Sequence, residues 1–194
     1  FHMVKQPVRT MADLKGLKLR APTRQTNKFL AALGATPVAM PVPQVGEALA
    51  KGVIDGAVVP YEVVPSVKIQ ELVKFHSETD PSEPAFYTST FIFAMNQKKY
   101  DSLPADLKKV IDANSGQAFS GQIGKIFLEA DGEGKKLASK NTFNVIPKTE
   151  LENWKKAGQP LIDAWVAEVT AKGVNGKQLL DGARALIAKH SATK

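Results

Sequence analysis

The sequence contains no cysteine. Disulfides, thiolate zinc sites and cysteine nucleophiles are excluded together, while every compartment stays open. Histidine is scarce: His2, His76 and His190 are the full set of 3. None has a partner at HxxxH or HxH spacing. Aromatic residues make up only 7% and do not interleave with basic ones as a nucleic-acid stacking platform requires. No apolar run approaches the roughly 20 residues that span a bilayer. The most apolar stretches, Val53–Val64 and Thr90–Met95, are interrupted by Asp55, Pro60 and Glu62 or are too short. Phe1–Thr10 lacks the apolar segment of a signal peptide, and Phe1-His2-Met3 is not an initiator context. An upstream portion is therefore expected to be missing. There is no Walker loop and no GxSxG elbow. Gly132-Glu-Gly134 lies inside a helical pattern, which is the wrong context for a dinucleotide fingerprint. No catalytic constellation is visible, and neither cofactor nor metal is expected.

What remains is an ordinary globular composition. The 194 residues are 43% hydrophobic and 23% charged, with a net charge of +7, which rules out disorder along the whole chain. The length suits one large domain or two small ones. The lysines behind the basic balance are scattered from Lys5 to Lys194 with no run longer than two, so a nucleic-acid partner is not expected.

The first half alternates short apolar runs with helical patterns. Thr10–Gly16 reads as one helical turn, and Leu17–Ala21 as a strand. Thr23 can cap a helix bearing Phe29, Leu30 and Leu33, with Gly34 as its stop. Thr36–Met40 is the next strand. Pro43 opens a second helix that ends at Gly52. Val53–Val59, a helix over Tyr61–Gln70 and a strand over Leu72–Phe75 complete a βαβαβαβ order suited to parallel pairing. Phe86–Met95 reads as a longer β segment. Pro104 to about Lys140 carries one long helical pattern that keeps five glycines, so it is expected to bend or to pack closely against something. Thr142–Ile146 is a single strand. Thr149 with Glu152 offers a capping box for a helix that Pro160 should kink, and Lys177–His190 is a terminal amphipathic helix. Glu78, Asp80 and Glu83 read as a solvated loop.

Arg20 sits at the C-terminal end of a strand, just before the helix opened by Pro22-Thr23. Ligands of open α/β sheets bind beyond the carboxyl ends of the strands. A guanidinium there can grip a carboxylate with two charge-assisted hydrogen bonds. Spacing alone favours the other reading, a strand-end arginine on the surface.

Several motifs then follow in order: Leu14-Lys-Gly-Leu-Lys-Leu-Arg20-Ala-Pro22, Leu33-Gly-Ala-Thr-Pro-Val38 with Met40-Pro, Ala48-Leu49 with Gly52-Val-Ile-Asp55-Gly56, and Leu103-Pro-Ala-Asp-Leu-Lys108. This succession resembles the DctP-type solute receptors of TRAP (tripartite ATP-independent periplasmic) transporters. The resemblance implies a periplasmic-binding-protein-like α/β fold with crossing strands and long C-terminal helices, here an incomplete two-lobe architecture. It implies residues 1–85 as an arginine-bearing α/β lobe. Residues 86–194 would supply a returning β segment, a long inter-lobe helix and the C-terminal helices. It implies a periplasmic receptor, not an enzyme, that closes around a small organic acid and hands it to membrane permease subunits. The arginine of the R-x-P motif would bind the carboxylate, and that position is Arg20.

Departures from the family pattern shape the expected ligand. Where sialic-acid-type members carry an asparagine and an aromatic residue, this chain has Val59 and Val42. An apolar wall cannot satisfy a polyhydroxylated sugar acid, so a monocarboxylate with an apolar or aromatic body is expected. Tyr61 and Phe86 are further candidates for the site, and Arg24 for a second cation. Gln44 and Glu62 are the residues that could hold a bridging metal, which is not expected. With much of the opposing wall absent, weak or no binding by the chain alone is expected, along with a tendency to form a homodimer. The alternatives are an enzyme or regulator domain reusing the fold, and a self-associating fragment.

Overall fold

A computed structural model of the chain describes residues 1–83 and 85–191. In chain order its elements are β1 (His2–Met3), α1 (Met11–Leu14), β2 (Lys18–Arg20), α2 (Arg24–Ala32), β3 (Thr36–Val38), α3 (Val45–Ala50), β4 (Gly56–Ala57), α4 (Ile69–Leu72), β5 (Phe75–Thr79), α5 (Gln97–Asp101), α6 (Ala105–Ala113), α7 (Gly116–Leu137), β6 (Thr142–Ile146), α8 (Lys148–Ala171) and α9 (Gly176–Ser191). Two 3₁₀ turns, Val42–Gln44 and Tyr61–Val63, precede α3 and α4.

Six strands form one sheet in the order β3-β2-β4-β1-β5-β6. β2 pairs in parallel with β3 and β4, and β5 with β6. β1 runs antiparallel between β4 and β5. The parallel units follow from the helical crossovers, as the element order requires. β1 itself is too short to announce itself in a pattern of period two.

Local chemistry sets the ends of α2. The Thr23 side chain accepts a hydrogen bond from the Thr26 amide at 3.1 Å, and Gly34 takes φ +96° just beyond the last turn. Only glycine adopts that conformation without strain. α1 is held at its start by Asp13, whose carboxylate accepts from the amides of Arg9 and Thr10.

The core lies on both faces of the sheet. Val58 packs with Leu19, Leu30, Leu33 and Trp154, while its neighbours Ala57 and Val59 pack with Val45, Leu49, Ile54 and Ile69. Successive residues of an extended strand point to opposite faces, so α2 and α8 cover one side and α3 and α4 the other. Each such buried aliphatic side chain contributes about 1.5–3 kcal/mol. Gly158 of α8 lets Phe29 of α2 approach: an added Cβ would stand 3.0 Å from the ring.

Several expected boundaries move. The helix expected over Tyr61–Gln70 is a 3₁₀ turn and a separate short α4, because Pro65 has no N–H to offer and Lys68 turns left-handed at φ 54°. That shift delays the next strand from Leu72–Phe75 to Phe75–Thr79. Val53–Val59 shortens to Gly56–Ala57. The long helical pattern breaks at Asn114-Ser115 into α6 and α7. α8 starts at Lys148 after Pro147 and carries no side-chain cap, so Thr149 and Glu152 make no capping box there. Phe86–Met95 joins no ladder among the described residues. A strand is defined by its partner, and Ile92 and Phe93 lie in the open at 91% and 103% exposure. Among the described residues, no helix is long and apolar enough to cross a membrane.

Candidate functional site

β2, β3 and β4 all end at the same edge of the parallel unit. Arg20 closes β2 there and is only 5% exposed. Its Nε donates to the Met40 carbonyl at 3.2 Å, and its Nη1 donates to the Val58 carbonyl at 3.3 Å. Both acceptors are neutral. No carboxylate forms an ion pair with Arg20 among the described residues. A guanidinium has five N–H donors, so most of this cation's donors remain to be satisfied. Burial lowers its pKa, but guanidinium stays protonated in proteins. The result is a buried positive charge lacking a counter-ion.

Tyr87 lies close enough for Arg20 to act on its phenol. The Tyr87 hydroxyl is shielded from solvent and has no hydrogen-bond partner among the described residues, although Ser89 lies beside it. Burial raises the Tyr87 pKa, so the phenol keeps its proton and remains a donor. Arg20 retains unused N–H donors, and Tyr87, within its electrostatic reach, retains an O–H.

Tyr87 also lines a cavity of about 590 Å³. Phe1, Phe86, Phe91, Phe127 and Ile146 make its walls apolar. Phe86 stacks on Phe1 with centroids 4.9 Å apart and meets Trp154 edge-on at 5.9 Å. Opposite these walls the cavity is acidic. Glu78 accepts from the Tyr61 hydroxyl at 3.3 Å and pairs with Lys135 at 2.6 Å. Asp131 accepts the Glu62 amide at 2.8 Å and so pins the 3₁₀ turn. Burial, then Asp131, raises the Glu62 pKa. α7 reaches this turn because Gly134 has no side chain: a Cβ there would overlap the Tyr61 carbonyl.

Of the residues singled out from sequence, Val59, Tyr61 and Phe86 line the cavity. Arg20 does not line it and reaches it only through its electrostatic effect on Tyr87. Arg24 is exposed on the first turn of α2, where its charge lowers the pKa of Glu168 on α8. Val42 is half-buried in the first 3₁₀ turn and does not line the cavity. Gln44 is exposed in the same turn. Glu78 is not the solvated loop residue expected: it lies in β5, half-buried against Tyr61 and Lys135. Asp131, Lys135 and the buried pair His2–His76 escape sequence reasoning. The one signal for the first two was the glycine-rich run at 132–134, which marks a close helix contact. The histidines are 74 residues apart and gave no signal.

The fold has counterparts among known proteins. A TRAP solute-binding protein of Rhodoferax ferrireducens T118, solved in complex with copurified benzoate, is 50% identical, and the match covers 98% of this chain and 60% of that one with a TM-score of 0.92. A marine-metagenome TRAP solute-binding protein specific for aromatic acid ligands, solved with metahydroxyphenylacetate, is 41% identical over 97% of this chain and 59% of that one, with a TM-score of 0.90. Among curated proteins, the outer membrane transporter protein TsaT of Comamonas testosteroni is 27% identical over 94% of this chain. The chain spans about half of that relative's length, 54%. The family described as bacterial extracellular solute-binding protein, family 7, matches residues 1–168, and the chain belongs to this DctP family of TRAP solute-binding proteins.

Proposed function

We propose that the protein is the periplasmic receptor of a TRAP transporter and captures an aromatic monocarboxylate through Arg20 for delivery to the membrane permease. The observation that carries this reading is the buried Arg20 cation, which has no counter-ion among the described residues at the carboxyl ends of three parallel strands. A ligand carboxylate supplies the missing charge and takes the unused guanidinium N–H groups, with Tyr87 donating a further hydrogen bond. Phe86, Phe1 and Val59 offer an apolar surface to an aromatic body. A second carboxylate on the ligand would face Glu62 and Asp131, which favours monocarboxylates over dicarboxylates. The two solved relatives hold benzoate and metahydroxyphenylacetate, both aromatic monocarboxylates, which supports this class. Binding that favours a closed form then shifts a hinge equilibrium. No step of this reading requires bond chemistry.

Calorimetric titration with benzoate tests it, on this chain and, where the gene continues upstream, on the longer product. Arg20→Ala should weaken binding by roughly 2–5 kcal/mol, as loss of a buried charged partner does. A variant that binds benzoate as well as the parent sinks the carboxylate role. A dicarboxylate such as terephthalate binding more tightly than benzoate overturns the ligand class.

A further inference from the structure

His2 and His76 are both buried, at 2% and 0% exposure. Their Nδ1 atoms lie 2.6 Å apart. His2 Nε2 lies 2.9 Å from the Val59 carbonyl oxygen, and His76 Nε2 lies 3.0 Å from Asn141 Nδ2. We infer that His2, His76 and Asn141 form a hydrogen-bond chain of one direction, and that the two histidines are positioning residues for the strand end that holds Arg20. The functional half of this inference rests on the Arg20 reading above; the proton arrangement does not.

The direction follows from the ends of the chain. A carbonyl oxygen only accepts, so His2 Nε2 carries a hydrogen. Burial disfavours the charged imidazole, so His2 Nδ1 is bare and accepts. His76 Nδ1 must then carry the hydrogen between them. His76 Nε2 is left bare and accepts from Asn141. The Asn141 amide is oriented by a second bond, since the same nitrogen donates to the Gln70 carbonyl at 3.1 Å. Every imidazole nitrogen is used once, and reversing the chain would require Val59 to donate.

The chain ends where the site begins. The Val58 carbonyl accepts from Arg20 Nη1, and the next carbonyl, Val59, accepts from His2 Nε2. Two successive peptide oxygens at the end of β4 are thus tied, one to the cation and one to the histidine pair. The aromatic rings of Tyr61 and Phe143 pack on the pair. The charged and titratable side chains facing it are Glu78, Lys135 and Tyr61. Burial first, and Lys135 after it, oppose a proton on His76, while Glu78 favours one. An added proton converts an acceptor into a donor, which then faces either His76 Nδ1–H or the Asn141 NH₂. Protonation therefore breaks the chain at the His2–His76 or the His76–Asn141 link, and the pair that holds the Val59 carbonyl loses an anchor.

The test starts with ligand-free protein, ¹⁵N-labelled at histidine. At neutral pH, the spectrum should show His2 as the Nε2–H tautomer and His76 as the Nδ1–H tautomer, with exposed His190 as the internal reference. His2 in the Nδ1–H form, or His76 in the Nε2–H form, overturns the arrangement. On acidification, the Arg20 Nε–H resonance should shift with the midpoint of His76; an Arg20 signal indifferent to that midpoint overturns the positioning role. A folded His2→Leu variant should bind benzoate about tenfold more weakly, a coupling typical of one hydrogen-bond network. Unchanged affinity also overturns it. If neither this chain nor a longer product with its upstream portion binds benzoate, the Arg20 reading fails and takes the positioning role with it, while the tautomers are still decided by the spectrum.

Discussion

The sheet and the stretch from Phe86 to Leu137 place their apolar side chains differently. In the first, Leu14, Leu19, Leu30, Ile54 and Ile69 are at 0–1% exposure. In the second, α5 and α6 bury no residue, and α7 buries only Gly134. Ile92, Phe93, Val110 and Leu128 stand at 58% exposure or more. Cohesion therefore resides in the sheet and in α2 and α8, and the rest of α7 hangs from one docking point on the 3₁₀ turn. The candidate site straddles that divide. Arg20 belongs to the rigid part, whereas Asp131 and Lys135 reach the cavity only while α7 stays docked.

Substitutions should separate the two regions sharply. Trp154→Ala removes a 2%-exposed ring from the packed half and should cost about 3–5 kcal/mol in urea unfolding. Phe93→Ala, in the open half, should stay within about 0.5 kcal/mol of the parent. Equal effects would erase the distinction. Gly134→Val drives a side chain into the Tyr61 carbonyl and should cost about 1–3 kcal/mol. Hydrogen exchange should then rise in α7 while β2 and β4 keep their protection; a uniform loss would mean that α7 is part of the same cooperative unit.

Acid should act on the sheet side. Burial lowers the His2 pKa well below 6.5 and that of His76 to about 4. Above pH 6.5 neither the folded nor the unfolded chain protonates these rings, and stability is at its full value. Between about 6.5 and 4, the unfolded chain takes protons that the folded chain refuses, so stability falls as pH falls. The slope is up to about 1.4 kcal/mol per pH unit per histidine. Thermal melts from pH 7.5 to 4.5 should show this loss, and His76→Phe, if folded, should flatten it. The smallest effect belongs to the Glu78–Lys135 pair, whose side chains are 25% and 46% exposed. Lys135→Met should change stability by no more than about 1 kcal/mol, and less at high salt.

What was legible in the sequence follows the same divide. The place of Arg20 at a strand end, the Thr23 cap and the Gly34 stop are local statements, written within a few residues, and the structure has them as read. The β segment expected at Phe86–Met95 was legible only as composition, since pairing depends on a partner far away. The 3₁₀ turn at Tyr61 escaped because a proline four residues on decided between two helical forms. Asp131 and the histidine pair escaped because their meaning lies in contacts 69 and 74 residues distant. Such contacts leave no periodic trace.

β1 carries a consequence for the order of assembly. The sheet consists of a three-stranded parallel unit and a two-stranded one with β1 between them, and the flanking Val4 and Phe1 add backbone hydrogen bonds to Asp55 and Ser77. Closing that join brings residues about 55 and 75 positions apart in the chain into register, and loop-closure entropy must be met before any contact rewards it. The two units can each form while still strangers to one another. A short keystone then sets one unit in register with the other, and the effect of Met3→Ala on stopped-flow refolding would time that join.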